Sequence, residues 1–252
     1  MKNFEKAIGL SEGDVIILSD QDDVWMPDRL QKIEQYLLAH PEMDAVFSDA
    51  ELVDKELHPY AYTLWDSIEF NERERSMVAS GNAFDVLLRR NVVTGATLAF
   101  RGHVKARVLP IPGEWVHDEW LAMIIAATGR LGFLPERLIR YRQHGANQIG
   151  ARKLGLLEKF RLLFTRRADF HRNLYLKTRL LRVRLAELAT ATTASHLTQE
   201  LDRKLDHLAV RTRLPGPRFL RLGLVTKELV RGRYFRYSSG WKSVVRDLLE
   251  PL

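Results

Sequence analysis

Val15, Ile16, Ile17 and Leu18 form an unbroken apolar run rich in β-branched residues, which passes through Ser19 into Asp20, Gln21, Asp22 and Asp23. An alternating pattern would mark a strand with one wet face. A continuous run marks one buried on both faces, as in a parallel sheet covered by helices. The aspartates then stand just past the carboxyl end of a buried strand, where open α/β sheets bind their ligands.

The segments that follow keep an α/β rhythm. Pro27 sits where a first helical turn accepts it, and Leu30, Ile33, Leu37 and Leu38 recur at helical spacing until Pro41 ends the helix. Residues 45–49 read as the next strand. The polar stretch 50–83 reads as a variable loop with one helix around 73–80. A helix over 84–90 and a strand over 96–100 come next. Residues 118–129 predict a helix with a buried face at Leu121, Ile124 and Ile125, closed by Gly129. Two short strands, 131–135 and 138–144, complete the pattern. Such alternation predicts an α/β sandwich with a mostly parallel sheet.

From about residue 151 the strand signal disappears. Segments 153–164, 170–208 and 218–230 read as Leu/Arg-rich helices, punctuated by Pro215-Gly216-Pro217 and Ser238-Ser239-Gly240. Charge divides at the same place. Residues 1–150 carry 16 basic and 23 acidic side chains, net −7, whereas residues 151–252 carry 23 and 9, net +14. A step of that size predicts two zones, 1–150 and 151–252. The acidic zone suits chemistry that needs a cation, and the basic zone suits an anionic partner.

A chain of 252 residues can bury one core plus a helical appendage, and 46% hydrophobic with 28% charged residues is the composition of an ordinary soluble protein. The chain has no cysteine, which removes disulfide frameworks, thiolate zinc sites and cysteine nucleophiles. The first residues contain no apolar signal-peptide core, and the longest apolar runs, such as 121–127, are too short to span a bilayer.

Asp20 and Asp22 alternate around one loop residue, so both can reach one cation while Asp23 braces the loop. Hard oxygen donors suit Mg²⁺ or Mn²⁺, which keep positions open for phosphate oxygens. Read by themselves, the aspartates could equally be turn and N-cap residues before the helix at Pro27. The longer string VIILSDQDDVWMPDRLQKIEQYL resembles the DxD region of family 2 glycosyltransferases with the GT-A fold, in particular their rhamnosyltransferase-like branch. The resemblance continues at NVVTGATLAF (91–100), WVHDEW (115–120) and YRQHGANQIG (141–150), in the family's order. It covers roughly residues 3–150, with a weaker likeness in the Arg-rich helices.

The resemblance implies a metal-dependent, inverting transfer of a hexose or deoxyhexose, rhamnose by motif flavour. The donor would be a nucleotide-diphosphate sugar and the acceptor a glycan or lipid-linked molecule in surface polysaccharide synthesis. Asp20 and Asp22 would bind the metal and the donor diphosphate, with Trp25 beside the donor. Asp118, in an HD pair where the family has an ED-type motif, would be the base; Glu119 is the neighbouring carboxylate. Thr94, Gly95 and Ala96 resemble the family's loop at the donor–acceptor junction, where small residues allow close approach. Trp120 could stack on the acceptor side, and His144 could serve the metal or the diphosphate. Relatives carry an upstream strand–helix–strand unit that opens the sheet, so the expectation is a GT-A domain incomplete at its N-terminal side, with an unpaired edge. The alternative is an inactive remnant acting as an interaction or membrane-associated module. A phosphohydrolase of the haloacid dehalogenase type also uses a strand-end Asp-x-Asp, but it wants a small residue or Thr after the second Asp, where this chain has Asp23.

Arg161, Arg166, Arg167, Arg172, Arg179, Arg182 and Arg184 lie among leucines at helical spacing. Such a surface suits anionic lipid headgroups and predicts a cytoplasmic protein peripheral at the inner face of the cell membrane. A solvated helix packed on the catalytic domain is the plain alternative. No nucleic-acid-binding motif accompanies the charge.

Overall fold

A computed structural model describes residues 2–143, 168–188 and 191–250. The chain forms two compact units, residues 1–87 with 91–153 and residues 88–90 with 154–252. Strands β1 (Val15–Ile17), β2 (Val24–Trp25), β3 (Ala45–Val53), β4 (Pro59–Thr63), β5 (Leu98–Arg101) and β6 (Leu131–Arg142) form one sheet in the first unit. Its order is β1-β5-β3-β6-β2, with β4 also paired to β3. Helices α1 (Lys2–Leu10), α2 (Arg29–Ala39), α3 (Leu64–Ser67), α4 (Glu72–Ala79), α5 (Ala83–Arg89), α6 (Lys105–Val108) and α7 (His117–Thr128) accompany the strands.

The expectation of a mostly parallel sheet is not met. Only β3 and β6 pair in parallel, while β1–β5, β3–β5, β3–β4 and β2–β6 pair antiparallel. The reason is β5, which lies between β1 and β3 and runs against both. Strands β1, β3 and β6 therefore share a direction, but an opposed strand separates the first from the others. Strand β3 is the centre, buried at every position except Glu51, and a strand covered on both faces reveals nothing in its sequence about direction.

The two short strands expected over 131–135 and 138–144 are one longer strand, β6, over Leu131–Arg142. Register against β3 jumps from Ser48↔Leu134 to Asp49↔Arg137, so Pro135 and Glu136 form a bulge within one strand. A bulge is one of the few places where a sheet tolerates proline. The stretch 50–83 is also more regular than a loop. Capping boxes at Thr63/Asp66 and Asn71/Glu74 start α3 and α4, and Phe47, Trp65, Phe70 and Phe133 pack edge-to-face or tilted beneath them.

Helix α2 buries Arg29, Ile33 and Leu37, one residue per turn along one stripe, and leaves Leu30 and Leu38 exposed. All four of Leu30, Ile33, Leu37 and Leu38 recur at helical spacing, but only Ile33 and Leu37 are buried. Arg29 completes the buried stripe instead. In α7 the expected face is fully buried at Leu121, Ile124 and Ile125, and the helix is apolar nearly all round, as a core helix should be.

The second unit is helical among its described residues. Helices α8 (Ala168–Leu188), α9 (Ala191–Thr212), α10 (Arg218–Val230), α11 (Arg233–Tyr237) and α12 (Trp241–Leu249) follow one another, so the single segment 170–208 is two helices. Val225, Tyr234 and Val244 form a small apolar core with Leu214, Leu229 and Leu248. Beside it lies a buried polar network. Arg211 donates two hydrogen bonds to Asp247, at 2.7 and 2.8 Å, and a third to Ser238 Oγ at 2.8 Å. Tyr234 donates to Asp247 at 2.7 Å. His207 bridges Glu228 at 2.8 Å through Nδ1 and Ser238 at 3.1 Å through Nε2. No helix among the described residues is long and apolar enough to cross a membrane. The helix expected at 153–164, with Arg161, Arg166 and Arg167, lies outside the described residues.

Candidate active site

The chain leaves β1 through Leu18, whose N–H donates to Leu98 O at 3.0 Å, and then turns through Asp20–Asp23. Two arginines hold this turn. Arg29, buried at the start of α2, donates from Nη2 to Leu18 O at 3.2 Å and to Ala96 O at 2.6 Å. It thereby ties the end of β1 to the segment leading into β5, and its guanidinium lies 4.3 Å above the Trp25 ring. From the other side, Arg142 at the end of β6 donates its backbone N–H to Asp23 Oδ1 at 2.9 Å and its Nε to Asp22 O at 2.8 Å. The strand-end aspartates thus sit in a fixed loop.

Asp118 begins the first turn of α7. Its Oδ1 accepts from the N–H of Glu119 at 2.7 Å, and its Oδ2 accepts from the N–H of Gly95 at 3.1 Å. The Thr94–Ala96 segment and the base expected at Asp118 are therefore in direct contact. Gly95 has a packing reason to be glycine: a Cβ there would stand 2.8 Å from His117 Nε2 and 3.3 Å from Asp118 Cβ. Close approach was expected from a sugar; the approach the fold displays is that of α7 itself. Thr97 keeps this segment in a 3₁₀ turn by donating its hydroxyl to Thr94 O at 2.8 Å.

The carboxylates share one electrostatic field. Burial pushes Asp20 up from the ordinary carboxylate range, and the charge of Asp22 adds to the shift. Asp23 is pushed up to about 6, first by burial and then by Asp20 and Asp22, against the N–H of Arg142 and the charge of Arg29. Burial also carries Asp118 to about 6, and the charges of Glu119 and Asp20 reinforce it. Tyr141, near the end of β6, has its hydroxyl pushed upward by burial and by the charges of Asp23, Asp20, Asp118 and Asp22. One tyrosine therefore feels all four carboxylates. Arg29 is lowered to about 10 by burial and remains a cation at neutral pH. His117 stacks on Phe4, ring centroids 3.8 Å apart, and burial lowers it to about 4, so it is neutral.

Asp23 Oδ2, Trp25 Nε1, Arg29 Nε and Nη1, and His117 Nε2 are buried without a hydrogen-bond partner. Buried polar atoms are rarely left so. Asp20 and Asp22 supply hard oxygens, the donor type that Mg²⁺ or Mn²⁺ prefers. They do not form a three-donor set. The groups of three donors whose ligand atoms all lie within 4.8 Å of one another, among the described residues, are Asp54/Glu56/His58 and His171/Asp247/Glu250. The first is an exposed turn in which Asp54 Oδ1 accepts the N–H groups of Glu56 and His58. The second includes Asp247, already engaged by Arg211.

The structure brings Asp20, Asp22, Asp118, Gly95 and Ala96 together with Trp25 at the edge. Trp120 departs from its expected place. It is 1% exposed, its indole N–H donates to Val108 O at 2.7 Å, and it packs against Trp115. Its ring anchors α7 and has no face open to a sugar. His144 lies outside the described residues. Arg29, Tyr141 and Arg142 were not singled out from sequence. A signal for Arg29 was present, since it shares its helical stripe with Ile33 and Leu37.

No protein-family model matches this chain. Over 148 residues it is 27% identical to a protein of Nostoc sp. named as an uncharacterized glycosyltransferase. The matched region is 57% of this chain and 44% of that protein, so the chain spans less than half the length of the curated relative it matches. A mixed α/β sheet with half-buried carboxylates past the end of β1, followed by a helical unit, is thus found in a chain distantly similar to a glycosyltransferase.

Proposed function

We propose that this chain is an inverting glycosyltransferase of the family 2, GT-A type, acting on a nucleotide-diphosphate sugar. The observation that carries the reading is the convergence of Asp20, Asp22, Asp23 and Asp118 on one field, with Asp118 held by the N–H of Gly95. The distant similarity to a named glycosyltransferase supports the same class.

In this reading Asp20 and Asp22 would hold Mg²⁺ or Mn²⁺ and, through it, the donor's diphosphate, and Trp25 would border the donor. The cation would offset charge growing on the leaving diphosphate. Asp118 accepts the proton of the acceptor hydroxyl as that oxygen bonds to the anomeric carbon. The bond from carbon to the phosphate oxygen breaks on the opposite face, the nucleoside diphosphate departs, and configuration inverts. A carboxylate near pKa 6 is a stronger base than an ordinary aspartate and is still mainly ionised at pH 7. The N–H groups of Gly95 and Glu119 fix its two oxygens while it waits. Thr94 and Ala96 form the acceptor side of the same loop. A hexose or deoxyhexose donor, rhamnose included, and a glycan or lipid-linked acceptor are the substrates this reading favours.

The experiment is a panel of nucleotide sugars incubated with the chain and Mn²⁺, read as released nucleoside diphosphate. One donor should turn over, and Asp22→Ala should silence it. Release from no donor, with no effect of any nucleoside diphosphate on the thermal melt, would refute the reading and leave the chain as a non-catalytic module.

A further inference from the structure

Helix α10 is inside out. Its buried residues include Arg221 and Glu228, each 1% exposed, with Val225 between them. Its exposed residues include Phe219 at 72%, Leu220 at 52%, Leu222 at 55% and Val230 at 82%. A helix of a water-soluble fold normally shows the reverse arrangement.

The inward polar face is fixed by specific partners. Arg221 donates to Pro215 O at 2.7 Å, Gly216 O at 2.9 Å, Asp247 O at 3.0 Å and Glu250 O at 2.7 Å. The last two carbonyls belong to the end of α12, where a cation is favoured. Glu228 accepts from Arg233 at 3.2 Å and meets His207 at 2.8 Å. Rolling α10 to bury its phenylalanine and leucines would strip all these groups of their partners. The apolar face is therefore held outward by the unit's own polar core.

Its chemistry narrows what can cover it. Phe219, Leu222, Thr226 and Val230 follow one another at spacings of three and four, one line along the helix away from Arg221, Val225 and Glu228. The only acid in α10 is the buried Glu228, which Arg231, just beyond the helix and half exposed, approaches at 3.6 Å, so the exposed charges, Arg218, Lys227 and Arg231, are all cationic. A second copy of this chain docking by a two-fold contact would set these cations against themselves. A nucleic acid would offer phosphates and no apolar layer. An anionic lipid surface offers both, acyl chains below and phosphate above.

We propose that α10 is a membrane-surface docking helix, with Phe219, Leu222 and Val230 entering the acyl boundary and Arg218, Lys227 and Arg231 at anionic headgroups. The proposal stands independently of the transferase reading.

Because the chain has no cysteine, Val230→Cys provides a single labelling position for a polarity-sensitive dye. With the full chain, vesicles containing phosphatidylglycerol should shift the dye to the blue and sediment the protein, and pure phosphatidylcholine should do so far less. Dye at Asn173→Cys, an exposed position on α8, should not respond. Phe219→Gln should weaken binding about tenfold or more. Replacing Arg218 and Lys227 by Gln should weaken it by about fivefold for each charge. Removing the same charge elsewhere, Arg172→Gln with Arg179→Gln, should cost less. Circular dichroism of each variant, all at exposed positions, verifies that the fold is kept. The proposal falls if the two charge pairs cost the same, or if a DNA duplex produces the same shift. A shift that depends on protein concentration without lipid, or no shift with phosphatidylglycerol, would also overturn it.

Discussion

The two units each bury a polar cluster, and the clusters differ in how their charges are matched. Around Asp247 every strong charge meets an opposite one or a hydrogen-bond partner: Arg211 grips the carboxylate twice, Tyr234 adds a third bond, and neutral His207 lies between Glu228 and Ser238. Around Asp118 the charges are alike. Asp20, Asp23 and Asp118 are all pushed upward, and the nearby buried cation, Arg29, donates to the carbonyl oxygens of Leu18 and Ala96. Matched buried charges specify how helices meet. Like charges gathered at a strand end destabilise the fold that contains them, and that arrangement suits a site whose complement arrives with the ligand.

The sharpest way to break the contrast is to neutralise one carboxylate in each cluster. In the first, Asp118→Asn should leave the fold intact and reduce transfer by about 10²–10⁴-fold, because it removes only the proton acceptor. Near-normal turnover would move the base to Glu119. In the second, Asp247→Ala should leave Arg211 buried without its partner and cost about 3–5 kcal/mol in a urea melt. A smaller effect would mean that this network is ornamental to stability.

Ligand binding should stabilise the first cluster alone. Mn²⁺ with a nucleoside diphosphate at about 100 times its dissociation constant should add roughly 2.7 kcal/mol, lost in Asp22→Ala. Protection in hydrogen exchange should appear at β1, β5 and the start of α7.

Acid should move the two units in opposite senses. The folded pKa of His207, about 4, lies below its ordinary 6.5. As pH falls between those values the unfolded chain takes a proton that the folded one refuses. Stability present above 6.5 is then lost, on the order of 2 kcal/mol between pH 7 and 5. Asp23 and Asp118 have their folded values raised to about 6, so the folded state takes those protons first and their unit gains stability as pH falls from 6 toward 3.8, a gain partly offset by His117, which is lowered to about 4. Amide exchange at pH 7 and 5, compared for α9 and α10 against β3 and β6, reads both signs in one experiment. A common sign in both units would remove the contrast.

Periodicity was a good guide where an element had one buried face. The stripe of α7 was legible because burial leaves a pattern in composition, whereas the apolar run of β1, read as buried on both faces of a parallel sheet, is a half-buried end strand antiparallel to β5. Strand direction was not legible: β5 is apolar on both sides whichever way it runs, and its antiparallel place depends on pairing partners remote in sequence. The bulge at Pro135 looked like a break because proline usually is one. Asp20, Asp22, Gly95 and Asp118 were singled out through motifs, and their proximity is what the fold adds. Trp120 was misplaced because a tryptophan beside a carboxylate looks alike whether it lines a pocket or a core. Arg29 and Tyr141 escaped because single polar residues on buried elements carry no motif. In the second unit, leucines and arginines at helical spacing suggested a conventional amphipathic helix at α10, and only the hydrogen bonds of Arg221 and Glu228 reveal that it is turned around.

The bulge in β6 has a consequence for how this protein could be altered by insertion or deletion. One continuous stretch starts at Asp118 on α7, turns at Gly129, and returns along β6 to Arg142, which holds Asp22 and Asp23. Pro135 and Glu136 sit midway along the return. They are slack in the strand: register with β3 passes from Ser48↔Leu134 to Asp49↔Arg137, so removing both would let Tyr141 and Arg142 keep their partners, Leu52 and Val53. The strand can therefore lose two residues far from any of these carboxylates and still hold Asp22 and Asp23 through Arg142.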